Sequence, residues 1–294
     1  MTHCLILTAY KDAPAINRFL ARVPADWGIY VHLDKKSKLT ISDINARAKV
    51  VRWRKIYWGA WEHLEVIHRM LMMAHQEVGY DYYHICSGQD YFVTPPELFD
   101  DFLDPNGANY VNAEKFPRKN WRGGDGYDVY RYKTLSSFAD SRKWGMKCIN
   151  KALLMLQKVL RLGRDIPSFP LYGGTIYSTF HHDFVEWMRN SHLAKTLLQQ
   201  LRHTICGEEI YYQTLLFNSP FAEMRGDYSL CYLDWSVNPG PKYLNEEDFN
   251  AIVAVEPLPL FCRKIDSNHS MALCDLLDQF TPKRLQQLSR PEKS

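Results

Sequence analysis

Residues 3–37, HCLILTAYKDAPAINRFLARVPADWGIYVHLDKKS, decide the fold class of this chain. Apolar runs rich in β-forming residues occur at His3–Thr8 and Gly28–Leu33, and a helical pattern lies between them at Asn17–Arg22. Short apolar runs that alternate with helices are typical of α/β folds. We therefore predict an α/β fold with a central, mostly parallel sheet flanked by helices.

The same alternation continues through the first half of the chain. We predict further strands at Lys49–Arg52, Tyr82–Cys86 and Asn109–Asn112, and a long helix at Ala60–Val78. Ligands of such folds bind beyond the carboxyl ends of the parallel strands. By position, the candidate binding segments are Thr8–Tyr10, His32–Lys36 and Ser87–Asp90.

The composition limits the class of protein and of partner. With 294 residues and 46% hydrophobic content, the chain can bury a sizeable core. Its 36 basic and 33 acidic residues nearly balance, so the overall charge does not favour nucleic acid as a partner. The seven cysteines include no C-x-x-C pair, which argues against a disulfide framework and against a zinc site.

The N-terminal residues MTHCLILTAYKD lack the basic region and the longer apolar stretch of a signal peptide. No uninterrupted apolar run approaches the length needed to cross a bilayer. We expect a cytoplasmic protein in a reducing compartment, either soluble or peripheral at the cytoplasmic membrane. A trimmed ectodomain is the alternative.

The segment 141–164 differs in character from its surroundings. It holds seven Lys or Arg residues and no acid, with apolar residues at helical spacing. One interpretation is an amphipathic helix that lies on an anionic membrane surface. The other is a basic surface helix that packs on its own domain.

Several common catalytic signatures are missing from the sequence. It contains no GxxxxGK[ST] loop and no G-x-G-x-x-G after a strand, which argues against a P-loop enzyme and a dinucleotide-dependent dehydrogenase. The nucleophile pattern G-x-S-x-G is also missing. No Asp-X-Asp triplet, the metal-binding pair of many sugar-nucleotide enzymes, occurs in the chain.

Two adjacent carboxylates, Glu208 and Glu209, follow Cys206-Gly207 and begin the apolar run IYYQTLLF. A carboxylate at a helix N-terminus interacts with the positive end of the helix dipole, and nearby aromatic residues limit its contact with water. This position suits a general base. Simple electrostatic capping of the helix is the alternative.

Seven sequence blocks, taken together in this order, resemble the core-2/I-branching enzyme family. The blocks are VHLDKKS (31–37), VVRWRKIYWGAWEHLEVI (50–67), YHICSGQDYFVTPPELFDDFL (83–103), LYGGTIYSTFHHDFVEWM (171–188), GEEIYYQTLLFNS (207–219), YLDW (232–235) and FCRKID (261–266). The resemblance covers roughly residues 3–270. The family consists of inverting β-glycosyltransferases and includes peptide xylosyltransferases, and this chain is similar to a compact, bacterial-type member.

The resemblance implies a GT-A fold, a UDP-sugar donor, one carboxylate as general base, and catalysis without a metal or another cofactor. The catalytic glutamate of the family aligns with Glu209, and Glu208 occupies the position where relatives usually carry aspartate. Two basic side chains neutralise the leaving diphosphate in the family. Lys264 aligns with one of them, with Arg263 beside it, and Lys242 lies in the segment of the other; ordinary surface cations are the alternative.

The remaining site residues also follow from the resemblance. For donor binding it implies Thr8, Ala9, Asp34 and Trp58, although Asp34 could instead cap the following loop. For acceptor binding it implies Trp235, Glu114 and Arg131. A tryptophan face suits the C–H face of a sugar ring, and a buried core position is the alternative for Trp235.

We expect a single glycosyltransferase domain over residues 1–294, with a donor-binding half at 1–105, an acceptor and catalytic half at 106–275 and a C-terminal tail at 276–294. The expected reaction moves N-acetylglucosamine from a UDP-sugar to a hydroxyl of a glycan or lipid-linked saccharide. Transfer of xylose, glucose or galactose is the alternative within enzymes. A non-catalytic carbohydrate-binding protein is the alternative outside them.

Overall fold

The computed structural model describes residues 1–280 except Pro105, Asn120, Arg122, Asp227, Ser229, Asn238 and Pro239. The strands are β1 (His3–Ala9), β2 (Gly28–Leu33), β3 (Lys49–Val51), β4 (Tyr82–Ser87), β5 (Asp90–Phe92), β6 (Glu114–Lys115), β7 (Tyr172–Gly173), β8 (Thr179–His181), β9 (Cys231–Leu233) and β10 (Phe261–Arg263). The helices are α1 (Ala13–Ala21), α2 (Glu62–Glu77), α3 (Phe99–Phe102), α4 (Tyr127–Arg131), α5 (Trp144–Val159), α6 (His182–Asn190), α7 (His192–Gln200), α8 (Glu208–Phe217), α9 (Phe249–Val253) and α10 (Met271–Gln279).

The central sheet has the strand order β3-β2-β1-β4-β8. Strands β1 to β4 run parallel to their neighbours, and β8 pairs antiparallel with β4 at the edge. The predicted α/β class with a mostly parallel sheet is therefore confirmed. The register places Thr8 of β1 opposite His32 of β2 and Ser87 of β4, so the three strands end side by side.

Both faces of the central sheet are covered. Alternate residues of β1 point to opposite faces, as in any strand. Leu5 and Leu7 belong to the core that includes Phe19 of α1, whereas Cys4 and Ile6 belong to the core that includes Ile67 of α2. Every one of these side chains is buried, so β1 reads as a continuous apolar run rather than an alternating one.

A second sheet, β5-β10-β9, joins the two predicted halves of the chain. Strand β10 pairs antiparallel with β5 and parallel with β9. Because β5 follows β4 after two residues, this sheet continues directly from the carboxyl end of the central one. The donor half and the catalytic half therefore share both sheets.

One of the predicted strands needs correction. Residues 109–112 form no strand of their own; Asn109 and Tyr110 make isolated bridges to Arg225 and Thr179. Helix α10 starts at Met271, ahead of the predicted tail at 276–294, and the hydroxyl of Ser270 before it donates to the Leu244 carbonyl. Residues 281–294 of the predicted tail lie outside the described residues.

No helix within the described part of the chain is both long enough and apolar enough to cross a membrane.

Candidate active site

The carboxyl end of β1 brings two predicted donor residues together. Thr8 and Ala9 are its last residues, and the Ala9 carbonyl accepts a hydrogen bond from the Asp34 amide at 2.9 Å. The Asp34 carboxylate is buried and accepts from the amides of Lys36 (2.8 Å) and Ile56 (3.3 Å). Asp34 therefore caps its own loop, the alternative noted from the sequence, while it remains beside the end of β1.

Helix α8 begins at the two adjacent glutamates. Cys206, two residues before the helix, has a φ of 52°, which turns the chain into the helix, and Gly207 is the N-cap. The Glu209 carbonyl accepts the Gly174 amide at 2.9 Å. A Cβ at position 174 would lie 1.7 Å from the Asn112 carbonyl oxygen, so only glycine allows this close approach.

Glu208 points into the interior and links α8 to the central sheet. Its Oε1 lies 3.2 Å from Nδ1 of His63, and Nε2 of His63 lies 3.2 Å from the Thr8 hydroxyl. A carboxylate only accepts hydrogen bonds, so Nδ1–H donates to Glu208, and a neutral His63 accepts from Thr8. The chain Glu208, His63, Thr8 thus connects the start of α8 to the end of β1.

Glu209 acts electrostatically on a different residue, Tyr177. Burial raises the pKa of the Tyr177 hydroxyl; the Arg263 guanidinium acts against this rise, and Asp90, Cys231 and, least of these, Glu209 add to it. The guanidinium of Arg263 lies 4.7 Å from the centre of the Tyr177 ring. Tyr177 therefore lies within the electrostatic reach of both the predicted base and a predicted cation.

The pairing of β5 with β10 explains the position of Arg263. The register places Arg263 opposite Asp90, and the two side chains form a buried ion pair at 2.8 Å. Arg263 also donates to the Ser87 hydroxyl. Burial raises the pKa of Asp90, and Arg263 opposes that rise. Ser87 at the end of β4 and Asp90 at the start of β5 thus hold the Arg263 side chain in place.

Lys264 belongs to a cationic cluster with Lys11, which shares the Tyr243 ring with it, and with Arg142, whose guanidinium forms an ion pair with Asp140 at 2.6 Å. The ammonium groups of Lys264 and Lys11 lie 5.5 and 5.6 Å from the ring centre. Burial lowers the pKa of Lys264, and the charges of Arg263, Arg142 and Lys11 lower it further. Neither Lys264 nor Lys11 has a carboxylate partner among the described residues. Such a cluster attracts an anion.

Lys242, the second predicted diphosphate ligand, is held differently. Its ammonium forms an ion pair with Asp248 at 2.7 Å, and its carbonyl accepts from the Lys264 amide at 3.1 Å. The backbone therefore brings Lys242 next to Lys264, while its charge is already neutralised by a carboxylate.

The two predicted aromatic ligands are both accessible. Trp58 is 41% exposed, and the Arg142 guanidinium lies 5.7 Å from its ring, so Trp58 is close to the cationic cluster. Trp235 is 59% exposed, which excludes the buried core position considered for it.

The two remaining predicted acceptor residues lie in separate places. Glu114 of β6 pairs with Gly173 of β7, one residue from the glycine that contacts the Glu209 backbone, and its carboxylate binds Arg118 at 2.9 Å. Arg131 instead donates to the Arg164 carbonyl at 3.1 Å. No recorded contact joins Arg131 to the other predicted site residues in the described part of the chain.

Sequence analysis did not assign Lys11, Arg142, His63 or Tyr177 to the site. Lys11 could have been identified from its position, because it follows β1 by two residues and ligands bind beyond the carboxyl ends of parallel strands. Arg142 belongs to the basic segment 141–164, and nothing in the sequence distinguishes it from the other basic residues there. His63 and Tyr177 carry no local signal, because tertiary packing alone places them there.

Among the described residues, no group of three His, Cys, Asp or Glu side chains is arranged to hold a metal ion.

Comparison with known proteins places the chain in a family. Residues 5–253 match the family described as Core-2/I-Branching enzyme. Xylosyltransferase 2 of Rattus norvegicus and that of Canis lupus familiaris are each 23% identical over 278 residues, which cover 85% of this chain and 30% of the relative. The chain thus spans about 30% of the length of these curated relatives.

Among solved structures, mouse xyloside xylosyltransferase 1 in its apo form aligns at a TM-score of 0.33 and 14% identity, over 75% of this chain and 83% of the mouse chain. Family membership and the mostly parallel sheet confirm the expected α/β fold of GT-A type. The resemblance identified from the seven sequence blocks is confirmed as well. The chain belongs to the Core-2/I-branching enzyme family of glycosyltransferases.

Proposed function

We propose that this chain transfers N-acetylglucosamine from a UDP-sugar to a hydroxyl of a glycan or lipid-linked saccharide, with inversion and without a metal ion, and with Glu209 as general base. The observation that carries this proposal is the position of Tyr177. The Arg263 guanidinium lies 4.7 Å from the centre of its ring, and the Glu209 carboxylate contributes to the raised pKa of its hydroxyl. The predicted base and a predicted cation are therefore both near Tyr177, which supports a displacement with a base on one side and a leaving diphosphate on the other.

The reaction is a single displacement at the anomeric carbon. The acceptor hydroxyl oxygen forms the new glycosidic bond while the bond from the anomeric carbon to the UDP oxygen breaks. The hydroxyl proton passes to Glu209, and the electron pair of the broken bond leaves with UDP. The cationic cluster Lys11, Arg142 and Lys264 stabilises the charge that develops on the diphosphate.

The donor would bind along the ends of β1 and β2. Thr8 and Ala9 line the end of β1, and the loop held by Asp34 lies next to them. Trp58 offers an exposed aromatic face close to Arg142 for the nucleoside, and Trp235 offers one for the acceptor sugar. Lys242 would contact the diphosphate only after its ion pair with Asp248 opens.

The relatives named xylosyltransferase 2 favour xylose as the second candidate donor sugar. A screen of UDP-N-acetylglucosamine, UDP-xylose, UDP-glucose and UDP-galactose by thermal shift distinguishes these donors, because a ligand that binds the native state raises Tm.

The substitution Glu209→Gln tests the reaction. It keeps the size of the side chain and removes its basicity, so UDP should still raise Tm while kcat falls by at least about a hundredfold. Glu223→Gln, an exposed glutamate on a loop, is the matched control and should leave transfer unchanged. Equal turnover of Glu209→Gln and wild type would overturn the role of Glu209.

The same assay in excess EDTA tests the role of the cations. We expect transfer to persist. A strict requirement for Mn²⁺ would overturn metal-independent catalysis, and no UDP release with any donor and mixed acceptors would favour the non-catalytic alternative.

A further inference from the structure

Helix α5 exposes an unusual amount of apolar surface. Trp144 is 82% exposed and Val159 is 78% exposed, although they lie at the two ends of the same helix. Further exposed apolar residues on α5 are Ile149, Met155 and Leu156, and Leu160 and Leu162 continue the surface beyond it. Contiguous apolar surface of this kind marks an interaction site in soluble proteins.

Five exposed residues of α5 share one side of the helix, and Ile149 and Leu156 lie about a quarter turn further around it. Spacings of three and four place residues on one side of a helix. The exposed residues with this spacing are Trp144, Cys148, Ala152, Met155 and Val159. The more buried residues with the same spacing are Met146, Asn150, Leu153 and Gln157, on the opposite side.

Polar contacts fix this orientation. Gln157 is buried, its Nε2 donates to the Lys133 carbonyl at 2.9 Å, and its Oε1 accepts from the Lys133 amide at 3.0 Å. Asn150 Oδ1 accepts from the Leu135 amide at 2.9 Å. The inner side of α5 is thus bound to the segment 133–135, which leaves the opposite, apolar side toward solvent.

Lysines border the apolar side along one edge. Lys147, Lys151 and Lys158 follow spacings of four and seven, which again share one side of the helix. Lys158 binds Asp128 at 2.7 Å, whereas Lys147 and Lys151 have no ion pair among the described residues. The whole segment 141–164 carries seven cations and no acid.

The charge of this surface decides among its possible occupants. The C-terminal residues 281–294 carry four Lys or Arg and one Glu, so they would be repelled by it. A second copy docked by the same face would bring two acid-free, cationic segments together. An anionic bilayer matches both features, because acyl chains accept Trp144 and the apolar stripe while lipid phosphates accept the lysines.

We propose that the exposed side of α5 docks on an anionic phospholipid surface. The docked helix would lie in the plane of the interface and bring the active site to the bilayer. Arg142, two residues before α5, lies 5.7 Å from the Trp58 ring and belongs to the cationic cluster of the active site. If the proposed transfer holds, this arrangement presents the site to acceptors attached to lipid.

Vesicle flotation of the purified chain tests the docking without donor or acceptor, so its result is independent of the proposed reaction. We expect binding to vesicles of phosphatidylglycerol and phosphatidylcholine at low salt, weaker binding at high salt, and none to phosphatidylcholine alone. Lys151→Glu should lower the partition coefficient at least about fivefold, the scale of one lost lysine contact. Lys195→Glu, an exposed lysine on α7, is the matched control and should change it less than about twofold.

A matched pair of valine variants tests the contribution of apolar side chains to vesicle binding. Val159→Ser should weaken flotation, whereas Val78→Ser, an exposed valine at the end of α2, should not. Trp144→Ser should weaken it further, and the wild-type tryptophan emission should shift to the blue on binding. No flotation of wild type at low salt would overturn the proposal. So would equal effects of Lys151→Glu and Lys195→Glu, or a dimer that Trp144→Ser dissociates while flotation is unchanged.

Discussion

Helices α8 and α5 are both rich in apolar residues, yet the protein uses them in opposite ways. Eight of the ten side chains of α8 are buried, whereas in α5, all of which is described, Gln157 alone among sixteen is fully buried. Polar partners account for part of this difference. In α8, Gln213 donates to the Thr175 carbonyl and Thr214 to the Tyr172 carbonyl, which offsets part of the cost of burying them, although Gln213 Oε1 is buried without a partner.

The comparison shows what each helix contributes. A closely packed helix has few ways to move, so α8 can hold Glu209 at a defined place within electrostatic reach of Tyr177. Helix α5 is bound by a few polar contacts on one side and keeps its apolar surface available. Apolar content alone therefore does not tell a buried helix from an exposed one.

The largest expected effect tests the difference in packing. Leu216→Ala on α8 removes a fully buried side chain and should lower the free energy of unfolding by about 2–5 kcal/mol. Leu156→Ala on α5, 54% exposed, should change it by less than about 0.5 kcal/mol. Urea denaturation of both variants measures the pair. Similar losses would mean that α5 is as tightly packed as α8.

The second-largest effect concerns the packing of α2 against α8 and is measured as the pH dependence of the free energy of unfolding. His68 of α2 contacts the Tyr211 ring edge-on at 5.6 Å, and burial lowers its pKa to about 4. Between pH 6.5 and 4 the unfolded chain binds a proton at this histidine that the native state does not bind. The free energy of unfolding therefore falls as the pH falls through this range, by up to about 3 kcal/mol, and His68 has no such effect above it.

His68→Phe keeps the ring contact and removes the titration, so the loss of stability between pH 7 and pH 4 should be smaller than in wild type. His32 and His84, whose pKa values burial also lowers, should retain part of the dependence. His192→Phe at an exposed position is the matched control. An unchanged slope in His68→Phe would show that the native structure does not lower the pKa of His68.

The smallest effect tests how the two helices begin. Helix α8 begins in a network that reaches Thr8 through His63, whereas the N-cap of α5, Lys143, makes no capping hydrogen bond through its side chain. Glu208→Gln removes the charge that orients His63. We expect the donor KM to rise about fivefold to tenfold with kcat changed less than about twofold. A fall in kcat alone would place Glu208 among the reacting groups.

Much of the fold could be read from the residues. The apolar runs of β1, β2 and β4 and the pattern of α2 predicted their elements within a few residues, because a buried parallel strand and an amphipathic helix leave periodic signals. Asn109–Asn112 was wrong as a strand. Its bridges join segments more than 60 residues away in sequence, and local periodicity cannot show such pairing.

The features of the site can likewise be divided into those that the sequence indicated and those that it did not. The residue types and their order indicated the family, the helix that starts at Glu208, and Lys264 beside Arg263. Lys242 lies in the segment that carries the second diphosphate ligand of the family, but the sequence did not show that Asp248 neutralises its charge. The sequence also left both meanings of segment 141–164 open. In the structure α5 packs on its domain through Gln157 and exposes an apolar, lysine-bordered side, and its contact with a membrane is our proposal.

By itself, the sequence determined the α/β class, the order of the elements and the family, since these depend on periodicity and on motifs that are local in the chain. Tertiary structure decided the surroundings of each carboxylate: Glu208 lies 3.2 Å from His63, and Glu209 is within electrostatic reach of Tyr177. It also brought Lys11 and Lys264 to the Tyr243 ring, with Arg142 close enough to lower the pKa of Lys264. The physical reason is that charge interactions depend on distance and burial in three dimensions, which spacing along the chain does not specify.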